Sequence, residues 1–160
     1  MKLFFRLASK HMPNFTLQKA TIANWETIEQ IEKTSNRKLY APRIDKAEIL
    51  HDITNNFIYF IVVENKKIGF ISYIVEADGN IEFNGLVILP EFQGQGIAKA
   101  TFEQVLEMTN AKHYSLFVHP ENEAALKIYT DAGFTIQSRL ENHFGDGEPR
   151  LFMTLAHTLA

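Results

Sequence analysis

The run Leu86-Val87-Ile88-Leu89-Pro90-Glu91-Phe92-Gln93-Gly94-Gln95-Gly96-Ile97-Ala98 joins an apolar strand, a proline stop and a glycine-rich turn that opens a helix. Ile81 to Leu89 reads as a strand, and Pro90 ends it. A helix follows over Gly96 to Thr109, with Ala98, Phe102, Val105 and Leu106 at i, i+4, i+7 and i+8. Gly94 and Gly96 let the backbone turn tightly and approach a ligand with no Cβ in the way. A helix N-terminus offers unpaired N–H groups and the positive end of the dipole, so a pyrophosphate is a natural guest. Taken alone, the turn serves equally well as a simple corner. It lacks the Lys-Ser/Thr ending of a nucleoside-triphosphate loop, the third spaced glycine of a dinucleotide fold and an acidic ribose clamp.

Outward from this run the chain alternates strands and helices. Phe15 to Lys19 reads as a strand. Thr21 caps a helix in which Trp25, Ile28 and Ile31 share a face, and Ile44 to Ile53 forms a second helix. Phe57 to Glu64 and Ile68 to Val75 form a hairpin around Asn65-Lys66-Lys67, and Asp78-Gly79 turns the chain into Ile81 to Leu89. Gly85 inside that strand marks a bulge or a close backbone approach. Tyr114 to His119 is a strand and Asn122 to Ala132 a helix stopped by Gly133; Phe134 to Leu140 and Leu151 to Leu155 are the last strands. The order β-α-α-β-β-β-α-β-α-β-β predicts an α/β (α+β) fold: a mixed, mostly antiparallel sheet of about seven strands flanked by about four helices.

At 160 residues the chain suits one domain; residues 1–11 read as an N-terminal extension and 12–160 as the domain itself. Sixteen basic against 19 acidic residues give a net charge of -3, which offers no electrostatic basis for nucleic-acid binding. The absence of cysteine excludes disulfides, thiolate metal sites and a cysteine nucleophile, and fits a cytoplasmic protein. The opening Met1-Lys2-Leu3-Phe4-Phe5-Arg6-Leu7 is too short, and too interrupted by Arg6, for a signal peptide, and no stretch has transmembrane length. The histidines have no metal-site spacing: His113 and His119 read as strand-flanking surface or loop residues, and no metal is expected.

The chain resembles the GNAT (Gcn5-related N-acetyltransferase) superfamily, whose signature Gln/Arg-x-x-Gly-x-Gly/Ala is matched by Gln93, Gly96 and Ala98. A second family element is matched by Asn122-x-x-Ala125-x-x-x-Tyr129-x-x-x-Gly133-Phe134. The resemblance spans residues 15 to 156 and is densest from Ile81 to Phe134. It implies a GNAT fold with the sheet splayed at the CoA site and acetyl-CoA as cosubstrate. By resemblance, the turn Gln93, Gly94, Gln95, Gly96, Ile97, Ala98 and Lys99 holds the pyrophosphate, and the backbone of Leu86, Val87 and Ile88 pairs with pantetheine and the acetyl carbonyl. The physics of that pairing is strand addition. Asn122 touches CoA by resemblance, and is in its own right an N-cap.

Acetyl transfer to an amine needs a base, an oxyanion donor and a proton for the departing thiolate. Tyr129 occupies the family's tyrosine position beside the CoA sulfur; from its helix face alone it reads as a core aromatic. Glu82 stands 11 residues before Gln93, the offset of the base glutamate in the histone-acetyltransferase branch, and its plainer reading is an exposed strand residue. Alternation places Glu82, Asn84, Leu86 and Ile88 on one face unless a bulge intervenes. The Ile88 N–H is the oxyanion donor expected.

The tail Asn142 to Met153 resembles that of ribosomal-protein alanine N-acetyltransferases, but His143 and Phe144 replace tyrosines, and Phe117 stands where that branch has its catalytic glutamate. Tyr40, Asn84 and His143 are candidate acceptor-binding residues. The expected activity is acetyl transfer from acetyl-CoA to a primary amine, on a small molecule or peptide, by direct attack in a ternary complex. The partners expected are that acceptor alone, without nucleic acid or membrane, in a monomer or homodimer. The alternatives are a catalytically inactive acyl-CoA-binding sensor or interaction module of the same fold, and a phosphate-binding protein unrelated to CoA.

Overall fold

The computed structural model describes residues 12–43 and 45–157. Its elements are β1 (Thr16–Lys19), α1 (Trp25–Glu32), α2 (Lys46–Asn55), β2 (Phe57–Val63), β3 (Lys66–Val75), β4 (Ile81–Ile88), α3 (Ile97–Thr109), β5 (His113–Val118), α4 (Glu123–Asp131), β6 (Thr135–Leu140) and β7 (Arg150–Ala156). Among the described residues the sheet has seven strands in the order β1-β2-β3-β4-β5-β7-β6. Neighbours run antiparallel except β4 and β5, which are parallel and joined through α3. The mixed, mostly antiparallel sheet and four helices expected from the sequence are therefore present.

Local chemistry sets the boundaries. A short 3-10 turn, Ile22–Asn24, precedes α1, and Asn24 Oδ1 accepts the Thr21 N–H at 2.9 Å, so the helix starts later than Thr21 suggests. Asp45 caps α2 by accepting the Glu48 N–H at 2.8 Å, and the helix runs two residues past Ile53. The start proposed at Ile44 lies outside the described residues. The β2–β3 turn is tighter than Asn65-Lys66-Lys67 implied. Glu64 and Asn65 both have positive φ (46° and 64°), so two residues close the hairpin, and Lys66 and Lys67 belong to β3.

The sheet separates two apolar layers. On one side α1 and α2 cover Ile58, Phe60, Phe70 and Val87 through Ile28, Ile31, Ile49 and Ile53. On the other, α3 and α4 cover Ile71, Tyr73, Phe83 and Tyr114, with Phe102 central. Phe102 meets Phe83 at 4.7 Å and Tyr129 at 5.0 Å between ring centroids. Each such fully buried side chain contributes about 1.5–3 kcal/mol.

One irregularity positions everything that follows. Ser72 pairs with Gly85 and Tyr73 with Phe83, which leaves Asn84 as the extra residue of a bulge in β4. The bulge reverses which residues face which layer. Phe83 and Leu86 join the α3–α4 layer, and Val87 faces α1 and α2. Glu82 and Leu86 therefore do not share a face, contrary to simple alternation. A Cβ on Gly85 would sit 2.5 Å from Ser72 Oγ and 3.0 Å from Tyr40 Oη, so only glycine fits.

Candidate active site

Beyond the bulge β4 parts from β5. The parallel pairing covers only Ile81–Phe83 against Tyr114–Leu116, while β3 stays paired along the other edge of β4. Leu89 N–H donates to Ile68 O at 2.8 Å. Antiparallel alternation then turns the Val87 amide and carbonyl toward β3, and those of Leu86 and Ile88 toward the gap. Gln93 Nε2 donates to Ile88 O at 2.8 Å, tying the turn to the strand. The Leu86 groups and the Ile88 N–H are left facing the gap, so of Leu86, Val87 and Ile88 the outer two offer backbone to a ligand.

The gap widens into a cleft of about 1090 Å³. Gln93, Gly94, Gly96, Ile97, Ala98 and Lys99 line it at the glycine turn, while Gln95 does not. Gly94 and Gly96 take φ of 76° and 83°, a conformation that L side chains rarely adopt, and a Cβ on Gly94 would meet nothing within 4 Å. The turn is thus glycine for its backbone, with open space above it. The first helical bond of α3 is Ala100 N–H to Gly96 O at 3.1 Å, so the amides ahead of it have no helical carbonyl to bond. Lys99 reaches Asp131 on α4 at 3.5 Å.

Asn122 Oδ1 accepts the Ala125 N–H at 3.2 Å, which caps α4 and orients its amide beside the cleft that it lines. Tyr129 reaches the cleft from the same helix, its ring held by Phe102 and Phe134. Burial pushes its phenol up to about 12, so it is protonated at neutral pH. Glu82 lines the cleft half-buried; burial first, and the nearby Glu76 second, raise its carboxyl above the ordinary range.

The cleft is also walled by Tyr40, Asn84, Phe117 and Phe144. His143 does not line the cleft but stacks on Phe117, which does, at 4.1 Å between centroids. Beneath Tyr40 and Asn84 lies an ion cluster that the sequence reading missed. Arg43 donates to Asp52, to Glu32 Oε1 at 2.8 Å and to Ser72 Oγ at 3.0 Å. The Asn84 amide fits with Nδ2 on Ser72 Oγ (2.7 Å) and Oδ1 on Arg43 (3.3 Å). Burial raises the Glu32 carboxyl, and Arg43 opposes that rise. A signal existed in the sequence: Glu32 stands four residues after Ile28, on the apolar face of α1. His119 lies in the loop after β5, as the sequence reading allowed, but not on the surface. It is 1% exposed, accepts the Glu121 N–H at Nδ1 and meets Glu148 at Nε2 (2.7 Å), so it locks the β6–β7 loop to the start of α4 rather than lying on the surface.

Among the described residues, no group of three His, Asp or Glu side chains is placed to hold a metal ion, and no helix is long and apolar enough to cross a membrane.

A strand edge left open beside a glycine turn, within this sheet order, matches a known family. Residues 23–134 fit the model of the acetyltransferase (GNAT) family. The chain belongs to this family. GNAT proteins use acetyl-CoA as cosubstrate, and the open Leu86 and Ile88 groups and the uncrowded glycine turn suit its pantetheine and pyrophosphate. Over 94 residues the chain is 34% identical to an N-acetylaspartate synthetase of Xenopus tropicalis, covering 54% of this chain and 33% of that protein. Over 91 residues it is 30% identical to the spermidine N(1)-acetyltransferase of Escherichia coli (strain K12), covering 45% and 49%. The chain thus spans a third to a half of the length of these curated relatives. The crystal structure of the ribosomal-protein-S18-alanine N-acetyltransferase from Escherichia coli superposes with a TM-score of 0.77 at 18% identity, over 92% of this chain and 96% of that one. That similarity is one of fold.

Proposed function

We propose that this GNAT chain transfers an acetyl group from acetyl-CoA to a primary amine by direct attack in a ternary complex. The observation that carries the proposal is the open backbone of Leu86 and Ile88 set between the glycine turn and Tyr129. The names spermidine N(1)-acetyltransferase and N-acetylaspartate synthetase, carried by two of its relatives, support an amine acceptor.

In this reading the amides of Gly94 to Lys99 hold the pyrophosphate, and the Leu86 and Ile88 groups hold pantetheine and the acetyl carbonyl as an added strand. The amine nitrogen bonds to the carbonyl carbon as the C–S bond breaks. Glu82, through water, takes the proton that the nitrogen loses. Tyr129 gives its phenolic proton to the thiolate and recovers one from solvent. A backbone N–H facing the gap stabilises the carbonyl oxygen while it carries charge. Asn122 supports the CoA end, and Tyr40, Asn84 and the His143–Phe117 stack shape the acceptor end.

The test is acetyl-CoA consumption across a panel of amines and peptide N-termini. Amine-dependent turnover is expected, falling by about 10²–10⁴ in kcat for Tyr129→Phe with acetyl-CoA binding retained. Thermal stabilisation by acetyl-CoA without turnover of any amine would instead make the chain an acyl-CoA-binding module. No stabilisation at saturating acetyl-CoA would end both readings.

A further inference from the structure

Phe144 is a large apolar side chain left in the open. Among the described residues, Ile22, Val75, Met108, Ile136 and Phe144 are the large hydrophobics exposed to solvent, and of these Phe144 alone lines the cleft. The loop that carries it holds it there. Asn142 accepts the Gly145 N–H at its carbonyl (3.1 Å) and the Gly147 N–H at Oδ1 (2.7 Å). Arg150, 2% exposed, donates to Asp146 at 2.7 Å and lies over the Phe144 ring, 5.2 Å from its centre. His143 and Phe117 meet the same ring edge-to-face, at 4.7 and 6.0 Å between centroids.

This aromatic corner lies on the same side of the sheet as Glu82. Tyr114, Leu116 and Val118 point into the α3–α4 layer, so Ser115 and Phe117 face the other side. Glu82 pairs with Ser115 and faces that side too, because its neighbours Ile81 and Phe83 belong to the α3–α4 layer. Phe117 is thus the next residue along this face from the partner of Glu82. The helices α1 and α2 cover this side only over β2, β3 and β4. Over β5 it is the aromatic corner that borders the cleft.

The same wall is poor ground for a second positive charge. Each carboxylate of the β6–β7 loop already has a basic partner: Glu141 has Arg139 at 2.6 Å, Asp146 has Arg150, and Glu148 has His119 at 2.7 Å. A cation approaching Phe144 would meet the guanidinium of Arg150 behind the ring and no uncommitted loop carboxylate in front of it.

We propose that Phe144, with Phe117, determines acceptor specificity by receiving an apolar group beside the amine, so that the preferred acceptor is a primary amine on an alkyl or aryl body rather than a polyamine. This names a substrate class for the acetyltransferase reading above and rests on it. The apolar group can belong to a small amine or to the first side chain of a peptide, since the rings offer both the same chemistry.

The experiment measures kcat/KM at saturating acetyl-CoA for two matched pairs, 2-phenylethylamine against ethylamine and a peptide beginning with Phe against the same peptide beginning with Gly, with spermidine and aspartate alongside. At least one pair is expected to favour its aromatic member by about tenfold, above spermidine and aspartate, and the pair with the larger ratio identifies the source of the apolar group. Phe144→Ser should lower that ratio about tenfold, mostly through KM for the amine. Phe144→Leu keeps an apolar side chain and should keep most of the ratio. A residue that only props the loop would lower all acceptors together and leave the ratio intact, which overturns the proposal. A wild-type preference for spermidine or aspartate also overturns it, while leaving the acetyltransferase function standing. If the wild type acetylates no amine at all, that function fails and this inference with it.

Discussion

On one side of the cleft, β4, the turn at 93–96 and the start of α3 present backbone groups. On the other, the α1–α2 and β6–β7 loops present side chains, held up by buried ions. The donor side needs little beyond glycine and an interrupted strand pairing, because amides are present at every position and only have to be left unpaired. The acceptor side must position Tyr40, Asn84 and Phe117 individually. It does so with Arg43, Glu32 and Asp52 below one wall, and with His119, Glu148, Asp146 and Arg150 behind the other. In the proposed function a fixed cosubstrate is served by the first construction and a particular acceptor by the second.

The largest expected effect breaks the acceptor side. Arg43→Met removes the cation between two carboxylates while leaving its own site filled. Glu32 stays 2% exposed with its charge uncompensated, so a loss of about 3–5 kcal/mol in unfolding free energy is expected. Urea denaturation measures it. Adding Glu32→Gln to Arg43→Met should recover part of the loss, since one stranded charge is gone. A loss below about 1 kcal/mol for Arg43→Met alone would mean that the cluster does not carry the wall.

That cluster also marks where the sequence stops being readable. The turn at Gln93–Ala98, the Asn122 cap and the order of strands were legible because they rest on local rules: glycine at positive φ, an amide at an N-cap, apolar periodicity. Glu32, Arg43, Asp52 and Ser72 lie on four separate segments, and their meeting depends on the packing of α1, α2 and β3. The bulge at Asn84 was half legible. Gly85 announced an irregularity, but the reversal of faces that separates Glu82 from Leu86 depends on pairing with Ser72. The burial of His119 was not legible for a related reason: its partner Glu148 comes from a loop 29 residues away.

A smaller effect sharpens the contrast in proton chemistry. Burial raises both Glu82, where the two sides meet, and Tyr129, on the donor side, but with opposite consequences. The phenol stays an acid at neutral pH, whereas the carboxylate becomes a better base that is lost at a higher pH than an ordinary glutamate. The rate should therefore fall as pH drops through the raised Glu82 value. Glu82→Gln should remove that limb and cost about 10²-fold in kcat, while the limb from protonation of the amine itself remains at higher pH. The stability sign is the reverse. A carboxyl raised in the folded state favours folding while protonated, and that contribution is lost as pH rises through its folded value. Glu82→Gln should thus be at least as stable as wild type at neutral pH. A pH–rate profile for Glu82→Gln that keeps the wild-type acid limb would remove Glu82 from the base role.

The smallest effect separates two duties of one donor-side residue. Asn122 caps α4 through Oδ1, and in the proposed function its amide also supports CoA. Asn122→Ala loses both, at about 1 kcal/mol for the cap. Asn122→Asp keeps a capping oxygen and adds a negative charge at a helix N-terminus, which is favourable there by about 0.3–1 kcal/mol. It also removes the amide N–H₂ and places that charge beside a cosubstrate rich in phosphate. If the cap is the whole role, Asn122→Asp should melt at or above the wild-type temperature and bind acetyl-CoA equally well. If the amide also serves CoA, the melting temperature should hold while the affinity for acetyl-CoA falls about tenfold, the loss of one hydrogen bond plus a weak repulsion. Melting curves with and without acetyl-CoA report both quantities in one experiment, because the ligand-induced shift depends on affinity and the baseline on the cap.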